Sequence, residues 1–178
     1  MSMEHKAFLF DYAGFHKELE AILIGALDSK EIDALRNFIL ENLDNLKDPY
    51  EGEPLDSDWE EMVDPKDVHQ YGDFALTLFY DPQSDIGLGY EWDILENLPD
   101  DGDFESSPVL GVPLGKNNNV FDPGKIGSYF QSPELVQSNL TKLNSIFSNS
   151  TDDSASLESA IEMLNEAKNE KKGLYVTF

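Results

Sequence analysis

The 178-residue chain has no cysteine, which excludes disulfide bridges, thiol nucleophiles, thiolate zinc sites and iron–sulfur ligation together. Positive charge is nearly as scarce: 12 Lys and Arg stand against 36 Asp and Glu, a formal net charge of −24, where a small domain ordinarily carries a magnitude of about 2 to 8. Such a surplus repels phosphate backbones and anionic bilayers, so no nucleic acid and no membrane surface is expected as a direct partner. A basic protein or a divalent cation is attracted. No run of about 18 apolar residues occurs, and the N-terminal MSMEHKAFLF has too short an apolar core for a signal peptide. A cytoplasmic protein is expected, and the triplets beginning at Asn139 and Asn149 then read as chance glycosylation matches.

Catalytic patterns are missing too. No Ser lies in a Gly-x-Ser-x-Gly elbow, and His5, His16 and His69 show no metal-ligand spacing. His69, near Asp64, Asp67 and Tyr71, reads as a surface histidine. Gly87-Leu88-Gly89 lacks the third glycine of a dinucleotide fingerprint, and Gly111 to Lys116 lacks Walker spacing, so these glycines read as turn or close-packing positions.

What is present belongs to a folded chain. Apolar residues make up 40% and aromatics 11%, enough to offset chain entropy, and the length suits one domain. The densest apolar run is FALTLFYDPQSDIGLGYEWDILENL, residues 74 to 98. Ahead of it, Phe15, Leu19, Ile22, Leu23 and Ala26, then Ile32, Leu35, Phe38, Ile39, Leu43 and Leu46, predict a helical hairpin over about 12–46, broken at Asp28-Ser29, with Asp28 capping the second helix. Phe8 to Phe10 suggest a short strand. Residues 47–73 read as an acidic loop region holding a helical turn at Trp59 and a helix start at Asp64-Pro65.

Residues 74–178 read as the α+β remainder. Apolar residues on both faces of 74–80 predict a buried strand, with a helix as the other option, and 86–90 alternate as a second strand. Trp92, Leu95 and Leu98 step at helical spacing, 109–112 suit an edge strand, and 115–128 read as a loop. A helix opens at Ser132-Pro133 and runs through Phe147, and another runs from about Ala155 to Lys172, stopped by a left-handed Gly173 before a closing strand at 174–178. The fold class expected is α+β: one domain with a small, mostly antiparallel sheet packed against four or more helices.

Between Asp44 and Glu105 there are 20 acids against Lys47 and Lys66 alone, and such a charge run predicts an electronegative face that meets a partner. Its candidate contact residues are Asp56, Asp58, Glu60, Glu61 and Asp64, around a Trp59 expected to be exposed as an interface hot spot. Trp92 reads as core. Asp100, Asp101, Asp103 and Glu105 place hard oxygen ligands on one loop and make a candidate metal site, with weak Ca²⁺ binding, although the EF-hand spacing fails.

Gly89-Tyr90-Glu91-Trp92-Asp93-Ile94-Leu95, then Tyr129 to Val136 (YFQSPELV), and an ending of helix, Gly173 and strand resemble the YfbM-like family of small bacterial proteins of unknown function. The resemblance covers the C-terminal half; it implies an α+β fold and little about activity.

Together these features favour a non-enzymatic acidic protein that binds a basic protein partner, such as an immunity-type inhibitor of a bacterial toxin, and needs no cofactor. The alternatives are a divalent-metal-dependent enzyme or sensor and a small-molecule binder, the latter using Trp92 and the Gly87 to Tyr90 loop, with the site in 85–105.

Overall fold

The strand Lys6–Phe10 (β1) is bordered on both edges, and its neighbours explain half of the architecture. The computed structural model describes residues 3–98, 106–149 and 155–178. After β1 come helices Tyr12–Glu18 (α1), Glu20–Ser29 (α2), Asp33–Asn42 (α3) and Val68–Leu76 (α4), then strands Gly115–Lys116 (β2), Asn119–Val120 (β3) and Ser128–Gln131 (β4). Helices Pro133–Asn149 (α5) and Ala155–Asn169 (α6) precede the last strand, Gly173–Thr177 (β5). The fold is α+β, as expected, with one small sheet in the order β1-β5-β4 and a separate β2–β3 hairpin. Its contacts divide the chain into two compact units. One, the sheet unit, comprises Met1–Tyr12, Asp85–Val112 and Tyr129–Phe178; the other, the helical unit, comprises Ala13–Ser84 and Pro113–Ser128.

In the sheet unit β1 runs antiparallel to β5, Lys6 opposite Thr177 and Phe10 opposite Gly173. β5 is the central strand, and its Gly173, Leu174, Tyr175 and Val176 are all buried, as a strand covered on both faces must be. α5 and α6 pack against each other and against β5. Each presents one stripe at helical spacing: Val136, Leu140 and Leu143 from α5, and Leu157, Ala160, Met163, Leu164 and Ala167 from α6. These meet Ala7, Val109, Leu174 and Val176 in a single apolar cluster.

Residues 85–89 close the other edge of β1. The Ile86 amide donates to the Ala7 carbonyl at 2.8 Å, and His5 and Gly89 exchange two backbone bonds of 2.8 and 3.1 Å. Gly87 lies so close that a Cβ would collide with the His5 carbonyl, and Gly89 adopts φ 62° and ψ −139°, a region open essentially to glycine alone. Gly87 thus serves close packing, and Gly89 a backbone turn that only glycine adopts readily. The 86–90 strand itself reduces to one isolated bridge, and 109–112 to two, Gly111 opposite Ser107 and Val112 opposite Phe130.

His5 locks this arrangement. Its ring is fully buried; Nδ1 accepts the Leu88 amide at 3.1 Å and Nε2 donates to the Val109 carbonyl at 2.8 Å, so the neutral Nε2–H tautomer satisfies both neighbours. Desolvation holds its pKa below the ordinary histidine value.

In the helical unit α4 packs against α2 and α3. Seven of its nine residues are buried. The expected strand at 74–80 is therefore corrected: Phe74, Ala75 and Leu76 end α4, and Phe79 and Tyr80 follow in turns. Only the last turn of α4 falls within 74–80, too short a piece to show a helical period, and the polar His69 and Gln70 lie a turn earlier, so its apolar end resembles a buried strand. α4 starts at Val68, with the Asp67 carboxylate accepting the His69 and Gln70 amides at 2.9 and 3.4 Å, later than the Asp64-Pro65 start read from sequence. Asp28 does not cap α3. It stays inside α2 and binds Lys116 Nζ at 2.7 Å, while Lys30, at φ 61°, ends that helix. At the end of α6 it is Lys171, at φ 56°, that turns left-handed, not Gly173.

Because the folded pKa of His5 is depressed, its contribution to stability is complete above the unfolded value of about 6.5 and is lost as pH falls below it. We expect the unfolding midpoint of the wild type to drop between about pH 7 and pH 5 more steeply than that of His5→Gln, which keeps a donor and an acceptor but cannot titrate. Parallel profiles in denaturant titrations at each pH would assign His5 no such part.

Candidate functional site

The acidic segment 44–64 lies wholly in the helical unit. Asp48 folds its first turn: its carbonyl accepts the Gly52 amide at 2.8 Å and its side chain accepts the Tyr50 and Glu51 amides. The turn is fixed to the end of α4, where Thr77 Oγ1 accepts the Lys47 amide at 3.0 Å. Asp56 accepts the Asp58 amide at 2.9 Å, and a 3-10 turn follows at Trp59–Met62.

Of the residues expected to meet a partner, Asp56, Asp58, Glu61 and Asp64 are exposed. Glu60 is half-buried and already engaged, by the Arg36 guanidinium through both Nε and Nη2 and by the Tyr71 hydroxyl at 3.5 Å; the Arg36 hydrogen bond holds its carboxyl below the usual range. Trp59 is the correction. It is 1% exposed, with its ring 5.5 Å from that of Tyr71 and 6.1 Å from that of Phe74. In a single helical turn consecutive side chains point in different directions, so acids on either side of a tryptophan in sequence do not make it a surface residue. The exposed apolar residues of the segment are Tyr50, at 73%, and Met62, at 53%.

Near Tyr50 lies a group that no sequence pattern singles out. Asp73 of α4 is buried, and the Tyr50 hydroxyl is its hydrogen-bond partner. Burial, reinforced by the nearby charge of Asp48, pushes its pKa up to about 7. Desolvation around its hydroxyl, with the Asp73 charge, pushes the Tyr50 phenol up although the side chain as a whole is exposed.

A cleft of about 360 Å³ opens beside the start of α4, lined by Leu27, Lys30, Asp64, Lys66, Asp67, Val68, His69 and Asn119. A second recess of about 330 Å³ shares Asp67, His69 and Asn119 with it and adds the Asn117-Asn118 turn, Asp122 and Lys125. His69 Nδ1 accepts the Asp122 amide at 3.1 Å and the ring stacks on Phe121, while Asn119 Nδ2 donates to the Leu27 carbonyl. His69, expected at the surface, is half-buried between the two recesses. The three-asparagine run was the only sequence signal at this place, and it reads as a turn.

The proposed metal ligands Asp100, Asp101, Asp103 and Glu105 lie outside the described residues. Among those that are described, no group of three His, Cys, Asp or Glu is placed to hold a metal, and no helix is long and apolar enough to cross a membrane. Trp92 is buried: its indole donates to the Met3 carbonyl at 2.7 Å and its ring lies 4.8 Å from Phe178. The fold thus occupies the tryptophan that a small-molecule site in the sheet unit would have used.

No protein-family model, no curated protein and no solved structure matches this chain.

The raised folded pKa of Asp73 means that its contribution is complete below the unfolded carboxylate value and is lost as pH rises through about 7. Asp73→Asn should therefore gain stability over wild type as pH is raised from about 5 to 8, by an amount on the order of 3 kcal/mol. Chemical denaturation of both proteins across that range measures it, and a constant difference would contradict it.

Proposed function

We propose that the chain is a non-enzymatic cytoplasmic protein whose acidic segment 44–64 binds a basic protein partner, in the manner of an immunity-type inhibitor of a bacterial toxin. One observation carries this reading. The seven acids Asp44, Glu51, Glu53, Asp56, Asp58, Glu61 and Asp64 are exposed, and none has an ion-pair partner among the described residues. The segment's single cation, Lys47, is occupied by Asp81 at 3.1 Å, so the field of these carboxylates projects outward uncompensated. Such a field raises the rate of encounter with a positive surface and fixes orientation more than it adds affinity. Apolar contact is then supplied by Tyr50 and Met62, the exposed large side chains interleaved with the acids, since tyrosine is enriched among residues that dominate interface energetics.

The segment is also held in shape before any partner arrives, through the Asp48 turn, Thr77 and the Arg36–Glu60 pair. A preformed surface loses less conformational freedom on binding than a flexible loop would. In this reading Glu60 and Trp59 act from beneath, as the framework on which the exposed acids stand.

Affinity capture with the full chain should retain a basic protein at about 0.05 M salt and release it near 0.5 M, where the Debye length falls from about 14 to about 4 Å. Tyr50→Ala and the triple variant Asp56→Asn, Asp58→Asn, Glu61→Gln should each weaken retention at least tenfold with the fold intact by circular dichroism. Recovery of no basic protein, or equal recovery by the variants, would overturn the proposal.

A further inference from the structure

We propose that the cleft beside the start of α4 binds a small sugar phosphate, its phosphate facing Lys30, Lys66 and the Nε2–H of His69 and its hydroxyls facing the asparagine turn. The argument begins with cations. The helical unit has seven Lys and Arg, and Arg36, Lys47 and Lys116 are spent on Glu60, Asp81 and Asp28. Of the four that have no ion-pair partner among the described residues, Lys30, Lys66 and Lys125 line the two adjoining recesses. Three carboxylates, Asp64, Asp67 and Asp122, share this lining with the three ammonium groups.

Backbone conformation points the same way. Only three non-glycine residues have positive φ among those described, and two of them are Lys30, at 61°, and Lys125, at 56°. Glycine is the favoured residue at both kinds of position, a helix C-terminus and a tight turn. Lysine there is strained, and strain of this sort concentrates where a side chain serves a ligand.

The carboxylates in the lining do not cancel these cations by capturing them. Asp64 accepts the Lys66 amide at 3.0 Å, Asp67 caps α4, and Asp122 accepts the Ile126 and Gly127 amides at 3.1 and 3.0 Å. His69, with Nδ1 taken by the Asp122 amide, carries its ring proton on Nε2, which has no protein partner among the described residues. Beside the remaining oxygens of these carboxylates, the recesses offer a ligand several donors: ammonium groups, one imidazole N–H and the exposed amides of Asn117 and Asn118. Donors of this kind match phosphate oxygens and hydroxyls. The volume suits a single sugar phosphate rather than a dinucleotide.

The cleft shares Asp64 with the proposed protein interface, but the variants used there leave Asp64, every lysine, His69 and the asparagines in place, so the two tests fail separately. The full chain is titrated with ribose 5-phosphate, inorganic phosphate, acetate and chloride at matched ionic strength, while the His69 ring and the Asn118 and Lys66 amides are followed by NMR. Ribose 5-phosphate should give saturable shifts at millimolar concentration or below, inorganic phosphate weaker ones, and acetate and chloride none. Lys30→Gly should lower the affinity about tenfold while leaving the melting temperature equal or raised, since glycine relieves the strain; Lys66→Ala should lower it similarly. Shifts that do not saturate by about 20 mM, that acetate reproduces, or that persist unchanged in both variants would overturn the proposal.

Discussion

The pairing of β1 with β5 is the constraint on which the sheet unit depends, because it brings residues 6–10 against 173–177 and so closes almost the entire chain. Closing a loop of that length costs about 4–5 kcal/mol in chain entropy, more than a few strand hydrogen bonds return at about 1 kcal/mol each net. The difference is met by burial. Ala7, Leu174 and Val176 enter the same apolar cluster as the stripes of α5 and α6, and His5 joins β1 to both the Leu88 amide and the Val109 carbonyl. Removing either end of the chain therefore removes a core layer, not a peripheral strand.

Legibility in the sequence followed from whether an element has two unlike faces. α5 and α6 are half buried and half solvated, and their stripes were readable as far as the capping prolyl turn and the C-terminal lysines. β5 could be read from its alternation and its position after a helix stop. The strand expected at 74–80 is corrected for a different reason: only the apolar last turn of α4 lies in that stretch, and three residues carry no helical period. The exposure expected for Trp59 is corrected because sequence neighbours are not spatial neighbours: Asp58 and Glu61 face solvent while the indole turns toward Tyr71 and Phe74.

The candidate sites were less legible still. The acidity was plain, but the run from 44 to 105 is shared between the two units, so its formal charge does not belong to one described face. Its part 44–84 lies in the helical unit and 85–98 in the sheet unit. The cleft beside α4 left almost no trace, because it is assembled from Lys30, Asp67, His69 and Asn119; Asp67 and His69 are near neighbours in the sequence, but nothing there joins them to Lys30 or Asn119. A left-handed lysine is a property of φ, and composition does not report φ.

His5 and Asp73 show how one physical cause yields opposite pH dependence. Burial penalises the charged form of both groups, lowering the pKa of the base and raising that of the acid. Acidification charges the histidine in a buried site and takes from the Leu88 amide its Nδ1 acceptor, whereas alkalinisation charges the carboxyl in a buried site near Asp48. Stability is thus squeezed from both sides of a narrow range near neutrality, one side in each unit. Asp73 has the further property of sitting under an exposed residue: an ionised carboxylate accepts a stronger hydrogen bond than a neutral acid, so the Tyr50 hydroxyl is bound more firmly as Asp73 loses its proton. The same deprotonation that weakens the packing of α4 therefore tightens the contact between the helix and the acidic turn, and a partner that engaged Tyr50 would have to compete with that contact.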